Sequence, residues 1–259
     1  MILKILGCGT STGVPLPGCR CAVCTSNDPR NQRLRSSALI KVKAGCNILI
    51  DATTDLRQQA LKWDIRRINA IIFTHSHADH ILGIDDLRSF NFIQKGPIPC
   101  YATQETFEDI KRVFSYIFSP DPAYQGGAVT KLSIHKINLL KPFTISGLRI
   151  VPFPLLHGRK EVTGYRLGEL AYATDCKGIP AESRDVLRAV KILVLDGLRY
   201  KPHQTHFTIP EAVALAKELG VKRTYLTHMT HTVDYSKVNS KLPPGIQLAY
   251  DGLEIEFEA

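Results

Sequence analysis

The protein has 259 residues, of which 44% are hydrophobic and 22% are charged, and its net charge is +9. This composition excludes a disordered chain and suits one α/β domain over 1–259. No apolar run approaches a membrane span, and Met1–Leu6 is too short for a signal peptide, so we expect a cytoplasmic protein. The net positive charge favours a phosphate-bearing substrate. This indication is weak, because the Lys and Arg residues are scattered along the chain.

Short apolar runs alternate with helical patterns in the first half of the chain, which is typical of an α/β architecture. The predicted strands are Met1–Leu6, Ala38–Val42, Asn47–Ile50 and Ala70–Phe73, and the predicted helices are Asp55–Trp63 and Thr103–Phe118. Ser119–Ala128, rich in Pro, Asp and Gly, is interpreted as a surface loop, with an active-site lid as the alternative.

The second half continues the alternation, and its predicted strands are Phe143–Pro152, Gly164–Leu167, Ala171–Thr174, Ile192–Leu195 and Arg223–Thr227. The spacing of Thr208 and Glu211 predicts a capping box for a helix that continues over Ala212–Leu219 and stops at Gly220. Asp251–Gly252 predicts a tight hairpin between Leu248–Tyr250 and Leu253–Phe257.

The densest group of chemical side chains follows the strand Ala70–Phe73. His75, His77, Asp79 and His80 fall within six residues. Imidazole and carboxylate suit Zn²⁺, Mn²⁺ or Fe, but four ligands are too many for one tetrahedral ion with an open position. The loop therefore predicts ligands shared by two ions roughly 3.5–4 Å apart, as in two-metal hydrolases.

Three further ligand-type residues stand where predicted strands end. His157 follows an apolar run, Asp175 follows Ala171–Thr174, and His228 follows Arg223–Thr227. Each alone would be an ordinary structural residue, but together with the histidine-rich loop they indicate ligands that gather at one sheet edge.

The cysteines indicate a second kind of metal site. Their number, seven, argues against a complete disulfide framework. Cys19, Cys21 and Cys24 lie within six residues, a spacing that in a cytoplasmic protein suggests metal, with three free thiols as the alternative.

These motifs resemble the metallo-β-lactamase fold superfamily, and within it the branch containing the phosphoribosyl cyclic phosphate phosphodiesterase of phosphonate breakdown. The resemblance is carried by Leu6–Pro15, Leu49–Ala52, the His75–His80 loop, His157, Thr174–Asp175 and Thr227–His231. It implies a four-layer αββα sandwich with the metals at one edge of the sheets.

The resemblance also implies roles for individual residues. The first ion would take His75, His77 and His157; the second would take Asp79, His80 and His228, and Asp175 would bridge the two. Asp51 would support the metal loop from behind, unless it is a simple turn residue.

Cys19, Cys21 and Cys24 with His231 would hold one structural zinc. His206 would contact phosphate or assist the leaving group, and Asp79 is counted with it as catalytic. His203 and His135 are interpreted as surface residues.

The expected reaction is hydrolysis by a metal-bridging hydroxide, with two divalent ions, Mn or Zn, as cofactors. A small phosphorylated substrate is the expected partner, and cyclic or other small phosphodiesters lead. The alternatives are a tRNA 3′-end endonuclease similar to ribonuclease Z, which would bring nucleic acid as a less favoured partner, and a thioester or lactone hydrolase. A metal-dependent scaffold protein would require lost ligands. No membrane contact is expected, and a homodimer stays open.

Overall fold

Two mixed seven-stranded sheets form the centre of the molecule in the computed structural model, which describes residues 1–42, 45–118 and 127–259. The first sheet has the order β14-β1-β2-β3-β4-β5-β6. Its strands are β1 (Ile2–Gly7), β2 (Ser37–Val42), β3 (Cys46–Ile50), β4 (Ala70–Ile72), β5 (Ile98–Ala102), β6 (Leu132–Lys136) and β14 (Glu254–Glu256).

The second sheet has the order β13-β12-β11-β10-β9-β8-β7. Its strands are β7 (Phe143–Ile145), β8 (Leu148–His157), β9 (Lys160–Leu167), β10 (Leu170–Ala173), β11 (Ile192–Asp196), β12 (Arg223–Thr227) and β13 (Ile246–Leu248). Each sheet is antiparallel at one end and parallel from β3 to β6 or from β10 to β13.

The helices cover the outer faces of both sheets. They are α1 (Leu56–Lys62), α2 (Ala78–Ile81), α3 (Arg88–Gln94), α4 (Gln104–Val113), α5 (Ser115–Phe118), α6 (Ala181–Leu187), α7 (Ile209–Glu218) and α8 (Tyr235–Asn239). No helix within the described ranges is long and apolar enough to cross a membrane.

Alternation along the strands separates the core into layers, because successive side chains point to opposite faces of a sheet. In β3, Ile48 and Ile50 join the core that contains Tyr172 and Val194 of the second sheet, whereas Leu49 joins the cluster beneath the outer helices. This arrangement confirms the predicted αββα sandwich.

The structure corrects two predicted elements, a strand and a helix. The strand Phe143–Pro152 is two strands with a turn at Ser146–Gly147, where both residues have positive φ. The helix Thr103–Phe118 is divided at Phe114, so that α4 and α5 are separate. Most of the predicted loop, residues 119–126, lies outside the described residues.

The predicted hairpin at Asp251–Gly252 is wrong. The strand before it, β13, belongs to the second sheet and the strand after it, β14, belongs to the first. The carboxylate of Asp251 accepts the backbone N–H of Cys8 at 3.0 Å and of Leu34 at 2.8 Å. These long-range bonds hold the segment as a crossover between sheets and prevail over the local turn preference.

Candidate metal centre

The histidine-rich loop and the distant ligand-type residues meet at one edge of the two sheets. The His75–His80 segment follows β4, His157 ends β8, and Asp175 and His228 follow β10 and β12. Strands β8 and β10 are each antiparallel to β9, and β10 to β12 are parallel, so the carboxyl ends of β8, β10 and β12 share an edge. The seven predicted metal ligands therefore lie together.

Three of the strand-end residues have left-handed backbone conformations. The φ angles are 60° at Asp51, 54° at Asp175 and 61° at His228. Non-glycine residues adopt this region at a cost of about 1–3 kcal/mol, and such residues cluster at functional sites. The chain thus accepts local strain at the points where it turns these side chains toward the edge.

His75, His77 and His157 form a first ligand group, with candidate ligand atoms all within 4.8 Å of one another. The Nε2 atom of His75 lies 3.0 Å from Nδ1 of His77. Burial lowers the pKa of His75 well below its usual value and lowers the pKa of His157 to about 4. Both rings are therefore neutral at pH 7, the state in which imidazole binds metal.

Hydrogen bonds at Nδ1 of His75 and of His157 determine which ring nitrogen is free to bind a metal. The Thr74 hydroxyl donates to Asp51 Oδ2 at 2.7 Å, so its oxygen accepts the Nδ1–H of His75, 3.0 Å away. His157 donates its Nδ1–H to the carbonyl oxygen of Thr205 at 3.0 Å. In both histidines the lone pair is left on Nε2, as expected of a supported metal ligand.

Asp79, His80, Asp175 and His228 form a second group, again with candidate ligand atoms within 4.8 Å. Nε2 of His80 lies 3.3 Å from Oδ2 of both aspartates, and Nε2 of His228 lies 3.0 Å from Oδ1 of Asp175. Two nitrogen or oxygen ligands of one tetrahedral zinc are separated by about 3.3 Å, given bonds of about 2.0–2.1 Å. The spacing therefore fits a shared cation.

Two buried nitrogen atoms in this group test the fit further. Nε2 of His80 and Nε2 of His228 make no hydrogen bond within the described chain, although carboxylate oxygens lie close to both. An unpartnered buried polar atom is costly and calls for an explanation. A cation between these nitrogens and the carboxylates would satisfy them, so the residues present fit a metal ion.

The electrostatics of the second group also favour a cation. Burial raises the pKa of Asp175, but His228 and His80 outweigh it and hold that pKa well below its usual range. Burial also disfavours the charged form of His228 and so lowers its pKa. The charge of Asp175 outweighs burial and raises the pKa of His228 to about 10. A buried, ionised carboxylate thus draws positive charge to itself, from a protonated imidazole or from a metal.

Asp175 lies next to both ligand groups. Besides its place in the second group, it forms a cluster with His157 of the first group and with His206, with candidate ligand atoms within 4.8 Å. Its two carboxylate oxygens contact different histidines, Oδ1 being near His228 and Oδ2 near His80. Asp175 is therefore within reach of both groups, through His157 on one side and through His80 and His228 on the other.

Asp51 lies behind the metal loop, as the resemblance implied. Its carboxylate is fully buried and accepts the backbone N–H of Thr74 at 2.7 Å and the Nδ1–H of His80 at 2.8 Å. The second bond turns Nε2 of His80 toward Asp79 and Asp175. Asp51 is therefore a positioning residue, and its interpretation as a simple turn residue is wrong.

His206 lies beside the metal centre and is oriented by a residue that the sequence analysis missed. Its Nδ1 donates to Oδ2 of Asp196 at 2.6 Å, and its ring is stacked on that of His228 with centroids 4.8 Å apart. Asp196 is fully buried and also accepts the N–H of Cys176. Asp196 stands at the end of β11, so the strand-end pattern that identified Asp175 could have identified it too.

His135 and His203 have different surroundings, although both were interpreted as surface residues. His135 is exposed on β6. His203 is partly buried, and its ring centroid lies 5.0 Å from that of His206.

The three clustered cysteines meet His231. Sγ of Cys19 lies 3.3 Å and Sγ of Cys21 lies 3.5 Å from Nδ1 of His231, and Cys24 completes a group within 4.8 Å. A cysteine sulfur and a histidine nitrogen on one tetrahedral zinc are about 3.6 Å apart. The backbone of Cys24 and the His231 ring lower the pKa of the Cys21 thiol to about 6, which favours the thiolate that metals bind.

Comparison with known proteins agrees with this geometry. A family model described as the beta-lactamase superfamily domain matches residues 46–229. A diphosphatase from the PhnP family is 44% identical in its crystal structure, with a TM-score of 0.91 over 99% of this chain and 98% of that chain.

Two curated relatives match most of the chain. An octanoyltransferase of Porphyromonas gingivalis is 40% identical over 96% of this chain, but the chain spans only 50% of that relative's length. A ribonuclease Z of Methanosarcina mazei is 23% identical over 88% of this chain and 94% of its own length.

The family model covers well over half of the chain, and the PhnP-family structure matches nearly all of it. The membership inferred from the motifs is thereby confirmed: the chain belongs to the metallo-β-lactamase superfamily.

Proposed function

We propose that residues 1–259 form one domain of a two-metal phosphodiesterase that hydrolyses small phosphodiesters, including cyclic ones. The observation that carries the proposal is the position of Asp175 between two groups of ligand-type residues. The similarity to a PhnP-family diphosphatase supports the choice of a phosphorus ester as substrate. The octanoyltransferase name is not transferred, because half of that relative lies outside the match.

The proposed ligands follow the two groups. His75, His77 and His157 would hold one divalent ion, Asp79, His80 and His228 the other, and Asp175 would contact both. Mn²⁺ and Zn²⁺ both suit this set of imidazoles and carboxylates. When bound, two such ions lower the pKa of water toward neutrality and neutralise charge on phosphoryl oxygens.

The chain's own residues then act around the bound substrate. Asp196 holds the Nδ1–H of His206, so that Nε2 of His206 is the atom that can carry a proton to the departing oxygen. Asp79, which His228 and His80 keep ionised against the effect of burial, can accept a hydrogen bond from the attacking water in addition to its ligand role.

The Cys19–Cys24 segment and His231 would hold a structural zinc. His231 lies three residues after His228, so this zinc would tie the N-terminal loop to the strand end that supplies a catalytic ligand. Reduced thiolates persist in a reducing compartment, which is why we propose a cytoplasmic location.

Replacing Cys21 by serine should remove about one zinc per chain and lower the midpoint of thermal unfolding, since structural zinc contributes directly to folding. Intrinsic turnover of the remaining folded protein should fall much less. The control is Cys46→Ser, whose sulfur donates a hydrogen bond to Ser146 Oγ away from the cysteine cluster. Unchanged zinc content in Cys21→Ser would show that the site does not exist.

A hydrolysis panel tests the proposed function. Protein loaded with Mn²⁺ or Zn²⁺ is assayed with a cyclic phosphodiester, bis(p-nitrophenyl) phosphate, precursor tRNA, a thioester and a lactone. We expect turnover of the two small phosphodiesters and little of the others. Cleavage of precursor tRNA alone would instead support the second candidate, a tRNA 3′-end endonuclease, which the ribonuclease Z relative and the net charge of +9 favour.

A further inference from the structure

His203 has a fixed protonation pattern that leaves one donor free. Its Nδ1 accepts the backbone N–H of Thr205 at 3.3 Å and lies 3.2 Å from the Thr205 hydroxyl. A backbone N–H can only donate, so Nδ1 carries the lone pair and the ring proton is on Nε2. Nε2 has no hydrogen-bond partner among residues 1–42, 45–118 and 127–259.

The ring stays neutral at pH 7. Partial burial lowers the pKa of His203, and the cations Arg199 and Lys177 lower it further. Those two cations are engaged elsewhere, because Lys177 binds Glu211 and Arg199 donates to the carbonyl oxygens of Lys201 and Pro202. His203 is therefore a neutral Nε2–H donor in a positive environment.

Thr205 links this donor to the metal centre. Its N–H binds His203, and its carbonyl oxygen accepts from the metal-centre residue His157. Gly158 allows the close approach, because a Cβ at that position would lie 2.9 Å from Cγ2 of Thr205. One residue therefore orients both a proposed ligand and His203.

His203 also neighbours the residue placed to act on the leaving group. The His203 and His206 ring centroids are 5.0 Å apart, and on its other faces His206 meets His157 and His228 at 4.7 and 4.8 Å. The imidazoles of His203 and His206 thus stand side by side. His206 is the proposed proton donor, so His203 is not needed for proton transfer. Neutral donors in a positive field suit an anionic oxygen.

We propose that His203 donates its Nε2–H to a non-bridging oxygen of a phosphoryl leaving group, so that the enzyme prefers diphosphate diesters to esters with an alcohol or phenol leaving group. The inference rests on the proposed phosphodiesterase function. The reaction consumes one water, whose oxygen joins the attacked phosphorus. The bridging P–O bond breaks, and its oxygen departs with a proton to give two phosphomonoesters.

The test compares one diphosphate diester, UDP-glucose, with bis(p-nitrophenyl) phosphate, whose leaving group has no phosphoryl oxygen. Replacing His203 by alanine should lower kcat/KM for UDP-glucose by about tenfold to a hundredfold, the value of a hydrogen bond to a charged group. Turnover of bis(p-nitrophenyl) phosphate should fall much less, because its leaving group offers His203 no phosphoryl oxygen. His203→Gln, whose amide can donate, should recover part of the loss, and His135→Ala is the matched control.

The outcomes separate the two hypotheses. Equal losses on both substrates, or no loss on UDP-glucose, would overturn the role of His203. Hydrolysis of bis(p-nitrophenyl) phosphate without hydrolysis of UDP-glucose by the unmodified protein would also overturn it, while leaving the phosphodiesterase proposal standing. Failure to hydrolyse either substrate would contradict the proposed function itself.

Discussion

Asp175→Asn is expected to abolish phosphodiester hydrolysis, with kcat/KM falling on the order of a thousandfold or more, because it removes the charge shared by both ligand groups. Asparagine has nearly the same shape and tolerates the left-handed backbone that Asp175 adopts at φ 54°. The loss should therefore reflect lost metal binding and not a disturbed fold.

The measurements for this variant are the hydrolysis rate of bis(p-nitrophenyl) phosphate, the metal content and the circular dichroism spectrum. Asp185→Asn is the control, since Asp185 is exposed on α6 and its carboxylate pairs with Arg188. Asp175→Asn with most of its activity and both ions retained would refute the bridging role.

His206→Ala should keep both metal ions and lose about a hundredfold to ten-thousandfold in kcat, the usual contribution of a positioned acid or base. The loss should grow as the leaving group becomes more basic, because a nitrophenolate departs without a proton and an alkoxide does not. A series of phosphodiesters with graded leaving groups measures this dependence.

Asp196→Asn supplies the companion variant for His206. It keeps the volume of the side chain but weakens the bond that orients the ring. The loss in kcat of Asp196→Asn should also grow with the basicity of the leaving group, but it should be smaller than that of His206→Ala. If the loss in His206→Ala were the same for every leaving group, His206 would not be the proton donor.

The sequence predicts this centre well because its ligands obey simple rules. The His75–His80 loop is dense in metal-binding side chains, and His157, Asp175 and His228 stand at strand ends that a layered α/β fold brings to one edge. Asp196, the last residue of β11, obeys the same rule. A single aspartate at one strand end is not distinguished by sequence from an ordinary structural residue. Its role depends on His206, ten residues further on.

The errors arise where a contact is not visible in the local sequence pattern. Asp251–Gly252 has the composition of a hairpin turn, yet the amides of Cys8 and Leu34 bind Asp251 and hold it between sheets. His203 looks like a loop residue in sequence, and only the fold places its ring against His206. Neither contact leaves a periodic trace that a sequence reading could detect.

In the proposed centre, seven side chains from the ends of β4, β8, β10 and β12 hold a pair of cations. Crystals of the protein soaked in Mn²⁺ test it directly through the anomalous signal of the metal. The account predicts two peaks about 3.5–4 Å apart, one near His75, His77 and His157, the other near Asp79, His80 and His228, with Asp175 between them. A single peak, or peaks only outside these groups, would contradict it.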